Sequence, residues 1–144
     1  MENASNSSSQ QLSIEICKAP PHGIYELTPY EEHLDPLGSI SASAIFALAE
    51  VSSHFFLIQN MDALGFDDYI PQLRSCRVKL RSKTDQRIYS LGRFSEREWK
   101  RFHRAMLKNH RGLIEFPIHV MNDIGKCTAI IHFEWFVFRK PKRQ

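Results

Sequence analysis

The first 72 residues contain one lysine, Lys18, and no arginine, against ten acidic residues, a net charge of −9. The N-terminal run MENASNSSSQQ therefore has no cationic flank, and it has no apolar stretch either, so no secretory signal is expected. Cysteine is scarce: Cys17, Cys76 and Cys127 lie far apart, in an odd count and without CxxC or Cys/His spacing. That excludes a disulfide framework and a zinc site, and it fits a reduced, cytoplasmic compartment. Apolar runs free of polar groups are also missing. The most apolar stretch, GSISASAIFALAEVSSHFF at residues 38–56, holds Ser39, Ser41, Ser43, Ser52, Ser53, Glu50 and His54, too many polar groups for a membrane span. Between Asp35 and Asp62 there is no Lys or Arg, and Glu50 is the only charged side chain.

What is present is the composition of one globular domain: 144 residues, 42% hydrophobic and 24% charged. The Ser/Asn/Gln-rich residues 1–10 bury nothing and are expected to be a disordered tail. Residues 11–140 form the domain and residues 141–144 a basic tail. Charge is strongly segregated, because residues 73–111 hold thirteen Lys/Arg and three acids, a net of +10. A segment of that strength suggests a polyanionic partner, a phosphate-bearing ligand or nucleic acid. The alternative is that the acidic and basic halves face each other, within the fold or across a dimer.

Leu12, Ile14 and Ile16 alternate with polar residues, the period of a half-buried strand; Pro20-Pro21-His22-Gly23 breaks it, and Ile24 to Leu27 resumes it. From Ser39 or Ser41 to Gln59 comes a long helix, apolar nearly all round and so buried on most sides. Two strands follow. In the first, Cys76, Val78 and Leu80 share one face and Arg77, Lys79 and Arg81 the other; RIYSLGRF is the second. Ser95-Glu96-Arg97-Glu98 opens a short helix with a capping-box pattern, Trp99, Phe102, Met106 and Leu107 form its apolar stripe, and Gly112 lies just past its end. Ile114, Phe116, Ile118 and Val120 point inward on the next strand, where Pro117 suggests an edge or a bulge. On the last, Ala129, Ile131, Phe133, Trp135 and Val137 share one side. Strand, strand, long helix, strand, strand, short helix, strand, strand describes an antiparallel α+β domain wrapped around one helix.

That order and the string GSISASAIFALAEVSS resemble the hotdog-fold thioesterases, especially the small bacterial acyl-CoA thioesterases related to the phenylacetate-pathway type. The resemblance runs from about Leu12 to Arg139 and implies a sheet of about six strands around the long helix. In that family the connector into the helix resembles N-x-x-G-x-x-H-G-G, with an acid further along the helix. Here Asp35 falls on the Asn-like position, Gly38 on the first Gly, Ser41 on the His, Ala42 and Ser43 on the Gly pair, and Glu50 on the acid. The resemblance implies a thioester carbonyl at a dimer interface, polarised by N–H groups at the helix N-terminus, with Glu50 as general base or nucleophile. Asp35 and Ser43 are further catalytic candidates. Gly38, Ser41, Ala42, Phe46 and His54 are candidate substrate contacts, and His54 lies one helical turn beyond Glu50.

The expected substrate is an acyl-CoA or related thioester. Coenzyme A enters only as part of that substrate, no metal is expected, and the chain forms a homodimer or a tetramer. Arg77, Lys79, Arg81 and Arg93 are candidates to meet the coenzyme's phosphates. Two other classes remain. A non-catalytic acyl- or acyl-CoA-binding module fits the side chains at Ser41, Ala42 and Ser43. A nucleic-acid-binding protein fits the +10 segment, although no helix-turn-helix or RNA-binding signature accompanies it.

Overall fold

A computed structural model of the chain describes residues 13–18 and 23–142; the expected tail at residues 1–10 and most of the Pro-Pro break lie outside the described residues. The elements are β1 (Ile14–Ile16), β2 (Tyr25–Leu27), a 3₁₀ turn (Glu31–His33), α1 (Ala42–Ala63), β3 (Tyr69–Leu80), β4 (Ile88–Gly92), α2 (Glu96–Asn109), β5 (Arg111–Asn122) and β6 (Cys127–Arg139). The strands form one antiparallel six-stranded sheet in the order β1-β2-β4-β5-β6-β3. This is the α+β architecture expected from the sequence.

Alternation carries the central strands. On β5 Ile114, Phe116, Ile118 and Val120, and on β6 Ala129, Ile131, Phe133, Trp135 and Val137, are all buried, β5 beneath both helices and β6 beneath α1. Against this layer α1 lays Ala44, Ile45, Leu48, Ala49, Ser52, Ser53, Leu57 and Met61, a buried face in which four residues are small. Close approach is needed elsewhere too. A Cβ on Gly92 would stand 2.8 Å from the Phe56 ring, so β4 meets the helix through a glycine. The helix is long and apolar enough to pass for a membrane span by composition, but here it is the central helix of the domain.

The buried serines of α1 are satisfied by distant partners. Ser52 Oγ donates to Leu48 O (2.6 Å) and lies 2.6 Å from Ser90 Oγ of β4, which in turn accepts from the Tyr25 N–H of β2 (3.1 Å). Ser53 Oγ donates to Glu50 O (3.0 Å) and accepts from Trp135 Nε1 (3.3 Å). The helix is thereby pinned to both halves of the sheet.

Several expectations are corrected. The helix runs to Ala63, past Gln59, because Met61 is still buried in the core and Asn60 Nδ2 donates to Phe56 O (2.8 Å); the chain turns at Leu64 and Gly65 (φ +82°). The helix is less evenly buried than its apolar circumference suggests: Phe55 is exposed and meets Tyr25 edge-on. Ile16 is 65% exposed, since β1 is a three-residue edge strand. On α2, Trp99, Phe102 and Met106 face the core, but Leu107 is 61% exposed; it stands about 100° round the helix from Met106. The left-handed residue that ends α2 is His110 (φ +56°), and Gly112 sits inside β5 against the Phe102 ring. Strand β4 is Ile88–Gly92, shorter than RIYSLGRF. Pro117 lies in an interior strand without a register shift, one residue past the last pair with β4, at Ile118.

The strand β3 pairs only with β6, leaving its other edge open along 12 residues. Cys76, Val78 and Leu80 do share the helix side of the sheet, opposite Phe133, Ile131 and Ala129. Yet Val78 is 49% and Leu80 55% exposed, because α1 does not reach over them.

The serine bridge sets a testable order of stability. Ser90→Ala removes the partner of the half-buried Tyr25 N–H, a loss of about 1–3 kcal/mol in urea unfolding. Ser52→Ala costs less, because Ser90 keeps its bonds to Tyr25; equal losses would contradict this assignment of donors.

Candidate active site

The connector into α1 is held by backbone bonds and two side chains. The buried His33 accepts the Tyr30 N–H at Nδ1 (2.9 Å), and its carbonyl accepts the Ser41 N–H (2.8 Å). Asp35 Oδ1 accepts the N–H groups of Leu37 (2.9 Å) and Ser39 (3.1 Å), closing a turn in which Gly38 takes the left-handed conformation (φ +81°). The Ile40 N–H donates to Thr84 O (2.8 Å), tying this loop to the segment after β3.

Ser41 is the N-cap of α1, and its Oγ accepts the Ala44 N–H (3.2 Å). Its carbonyl accepts the Ile45 N–H. The N–H groups of Ala42 and Ser43 have no acceptor among the described residues, so the positive end of a 22-residue helix keeps two donors. Beside them is a pocket of about 210 Å³. Its walls include Ile40, Ala42, Ile45 and Leu80, with Arg81, Lys83 and Asp35 and the buried Thr128.

Ser43, Glu50 and His54 fall on one line along α1. They lie on the side its own sheet leaves uncovered: Ser43 and His54 are exposed and Glu50 is half-buried. Glu50 forms no ion pair among the described residues. The expected partner, His54, instead lays its ring on Trp135, with centroids 5.5 Å apart. Burial lowers the His54 pKa below the ordinary histidine value, and the charge of Glu50 opposes this only in part.

Of the residues singled out in the sequence, Asp35 and Ala42 line the pocket and Ser41 caps the helix beside it. Gly38 shapes the connector, while Phe46 is half-buried against Phe133 (6.0 Å between centroids) and belongs to the packing. Leu80, Ser82, Lys83 and Thr128 complete the pocket and were not singled out, and Arg81, named for the coenzyme's phosphates, lines it too. Thr128 escaped because strand alternation places it on the outer face. A register shift pairs Val120 with Ala129 but Met121 with Cys127, so Thr128 is the extra residue of a bulge.

Part of the charge segregation is absorbed within the fold. Arg87 pairs with Glu26 and with Asp123 (2.6 Å) and donates to Cys17 Sγ (3.1 Å). Burial penalises its charge, but the hydrogen bonds to Asp123 and Glu26 prevail and raise its pKa. Arg77 pairs with Glu115 (2.7 Å) and Lys100 with Glu96 (2.9 Å). Arg77, Lys79 and Arg81 share with His132 and Ile130 a second groove, of about 460 Å³; Arg81 lines both cavities.

No protein-family model and no curated protein sequence matches the chain. Solved structures do match. The thioesterase HI1161 of Haemophilus influenzae superposes with a TM-score of 0.69 over 97% of this chain and 88% of that one, at 12% identity. The BH2602 protein of Bacillus halodurans, solved with CoA, gives 0.68 over 91% and 75%, at 11% identity. The E. coli PaaI protein from the phenylacetic acid degradation operon gives 0.60 over 94% and 86%, at 12% identity. The likeness establishes a hotdog fold: a six-stranded antiparallel sheet around α1.

The lowered pKa of His54 carries a pH dependence of known sign. A folded-state value below the ordinary one, about 6.5, means that the unfolded chain binds the proton first, so stability falls as pH drops through that range. Between pH 7.5 and 5.5 the wild type should lose more stability in urea unfolding than His54→Phe, which keeps a ring on Trp135. A steeper loss in the variant would reverse the assignment.

Proposed function

We propose that the protein is a homodimeric thioesterase that hydrolyses an acyl-CoA. The observation that carries this reading is the start of α1, where two unsatisfied N–H donors and the helix dipole meet a pocket of thioester size. A carbonyl oxygen seated at the Ala42 and Ser43 amides gains its strongest hydrogen bonds as it becomes the oxyanion of the tetrahedral intermediate. Glu50 is the general base. It takes a proton from the water whose oxygen attacks the carbonyl carbon; the intermediate then expels the thiolate, which takes that proton back from Glu50, and leaves the acid.

Glu50 stands about 12 Å along the helix axis from Ala42, so it does not serve the carbonyl bound at its own helix start. A second copy supplies it. The open edge of β3, with Val78 and Leu80 uncovered on the helix side, supports a pairing of this kind, since an exposed apolar edge is a template for another strand. The uncovered stripe of α1 would then face the partner, and the Ser43 hydroxyl on that stripe would hold the attacking water.

Coenzyme A as the carrier is supported by the BH2602 structure of the same fold. Arg81, shared by the pocket and the groove that also holds Lys79 and His132, gives the phosphates a cationic path away from the reacting carbon. One observation favours a second reading, an acyl-binding module without turnover: Ala42 and Ser43 carry Cβ atoms where the resembling family has a glycine pair.

Thiol release from short, long and aromatic acyl-CoAs separates the two. Turnover that falls by about 10²-fold or more in Glu50→Gln and Glu50→Ala supports the hydrolase. Turnover unchanged in both removes Glu50 from the mechanism, and none on any substrate leaves the binding module. Val78→Glu combined with Leu80→Glu should yield a monomer that has lost the same activity; an active monomer would end the two-copy site.

A further inference from the structure

We propose that Lys83 makes the pocket at the start of α1 selective for short acyl groups that end in a carboxylate, over saturated groups of the same length. The inference rests on the reading of this pocket as an acyl site. Its walls carry three charged side chains, Asp35, Arg81 and Lys83. Arg81 and Lys83 are both exposed, so a molecule in the pocket can reach them. Neither has an ion-pair partner among the described residues, whereas Arg77, Arg87, Lys100 and Arg139 each pair with an acid.

Lys83 is the cation that coenzyme binding leaves unused. Arg81 lines both the pocket and the groove that holds Arg77, Lys79 and His132, but Lys83 lines the pocket alone. Phosphates in that groove therefore account for Arg81 and not for Lys83. The other polar walls do not answer it. Asp35 has its Oδ1 committed to the Leu37 and Ser39 amides, and Ser82 Oγ donates to Cys127 O (2.6 Å). The Thr128 hydroxyl has almost no accessible surface and takes no part. One acid stands against two cations and a helix N-terminus, so the cavity is electropositive overall.

The backbone on either side of Lys83 is held in place. The Arg81 and Ser82 N–H groups donate to Thr128 O (2.8 and 3.3 Å), and Thr84 O accepts the Ile40 N–H (2.8 Å). The root of the Lys83 side chain is thereby fixed at the pocket wall, while its ammonium group is free to turn toward a ligand. Ile40, Ala42, Ile45 and Leu80 supply the apolar lining for the methylenes between. Size sets the length. An apolar cavity of about 150 Å³ takes benzene, so the 210 Å³ here suits an acyl group of about four or five carbons with its terminal carboxylate, on the order of ten non-hydrogen atoms at most. Exposed ion pairs are individually weak, but two cations and a helix dipole acting on one carboxylate amount to about tenfold in affinity.

The test is calorimetric binding of succinyl-CoA against butyryl-CoA and of glutaryl-CoA against pentanoyl-CoA, measured on the Glu50→Gln protein so that turnover does not intrude. At least one dicarboxylic ester should bind about tenfold more tightly than its saturated counterpart. Lys83→Met should erase that preference, Lys83→Arg should keep it, and Lys83→Glu should invert it. Equal binding within both pairs, binding of none, or a preference that survives Lys83→Met overturns the proposal. So does a Lys83→Met loss of equal size for all four esters, which would assign Lys83 to the coenzyme's phosphates. Thiol release keeps the two readings apart. A binding preference without any release by the wild type sinks the hydrolase and leaves this proposal standing, whereas release without any preference does the reverse.

Discussion

The rotation of α1 about its own axis is the constraint on which the rest of the domain depends. Ser52 meets Ser90 of β4, and Ser53 meets Trp135 of β6, two contacts on opposite halves of the sheet. Together they fix the helix like two pins through a rod. The small face of Ala44, Ala49 and the serines can lie close to the strands only in this orientation. Once it is set, Ser43 and Glu50 must stand clear of the sheet while His54 reaches the Trp135 ring, and the first turn must open beside Leu80 and Thr128. The placement of every candidate group is therefore a packing outcome before it is a chemical one.

This also explains what was legible in the sequence. Strands β5 and β6 declare themselves because strict alternation survives over long runs, and α1 because Ser41 precedes a stretch of helix formers without Gly or Pro. The orientation of α1 was not legible. A helix apolar nearly all round gives no direction, and polarity misleads, since Ser52 and Ser53 are as polar as Ser43 yet fully buried. Their partners lie 38 and 82 residues away, beyond any local pattern. Thr128 was hidden for a related reason: alternation presumes an unbroken register, and one extra residue in the hairpin reverses the side to which a strand residue points.

The family pattern and the physics divide the work at the connector. Asp35 and Gly38 occupy motif positions, and their visible role is to build the turn: the carboxylate gathers two amides and the glycine takes a positive φ. Ser41 shows the same economy. Where the pattern has a histidine, a capping hydroxyl takes the Ala44 amide and leaves those of Ala42 and Ser43 as the donors. The cap thus narrows the electropositive end of α1 to two amides beside one pocket.

On the proposed reading, a single chain of this fold holds two halves of a site that do not meet. The donors sit at the first turn of α1 and the carboxylate more than two turns later, a separation set by helix rise alone and closed by no side-chain rotation. Each half also faces a surface that the chain leaves unfinished. The carboxylate lies on the uncovered stripe of α1, and one wall of the pocket is Leu80, 55% exposed at the end of β3. Three unfinished features on one molecule, an open strand edge, an uncovered helix stripe and an acid with no ion pair, have one economical resolution. A second copy set against the β3 edge by a twofold axis would finish all three at once, and by symmetry would do so twice.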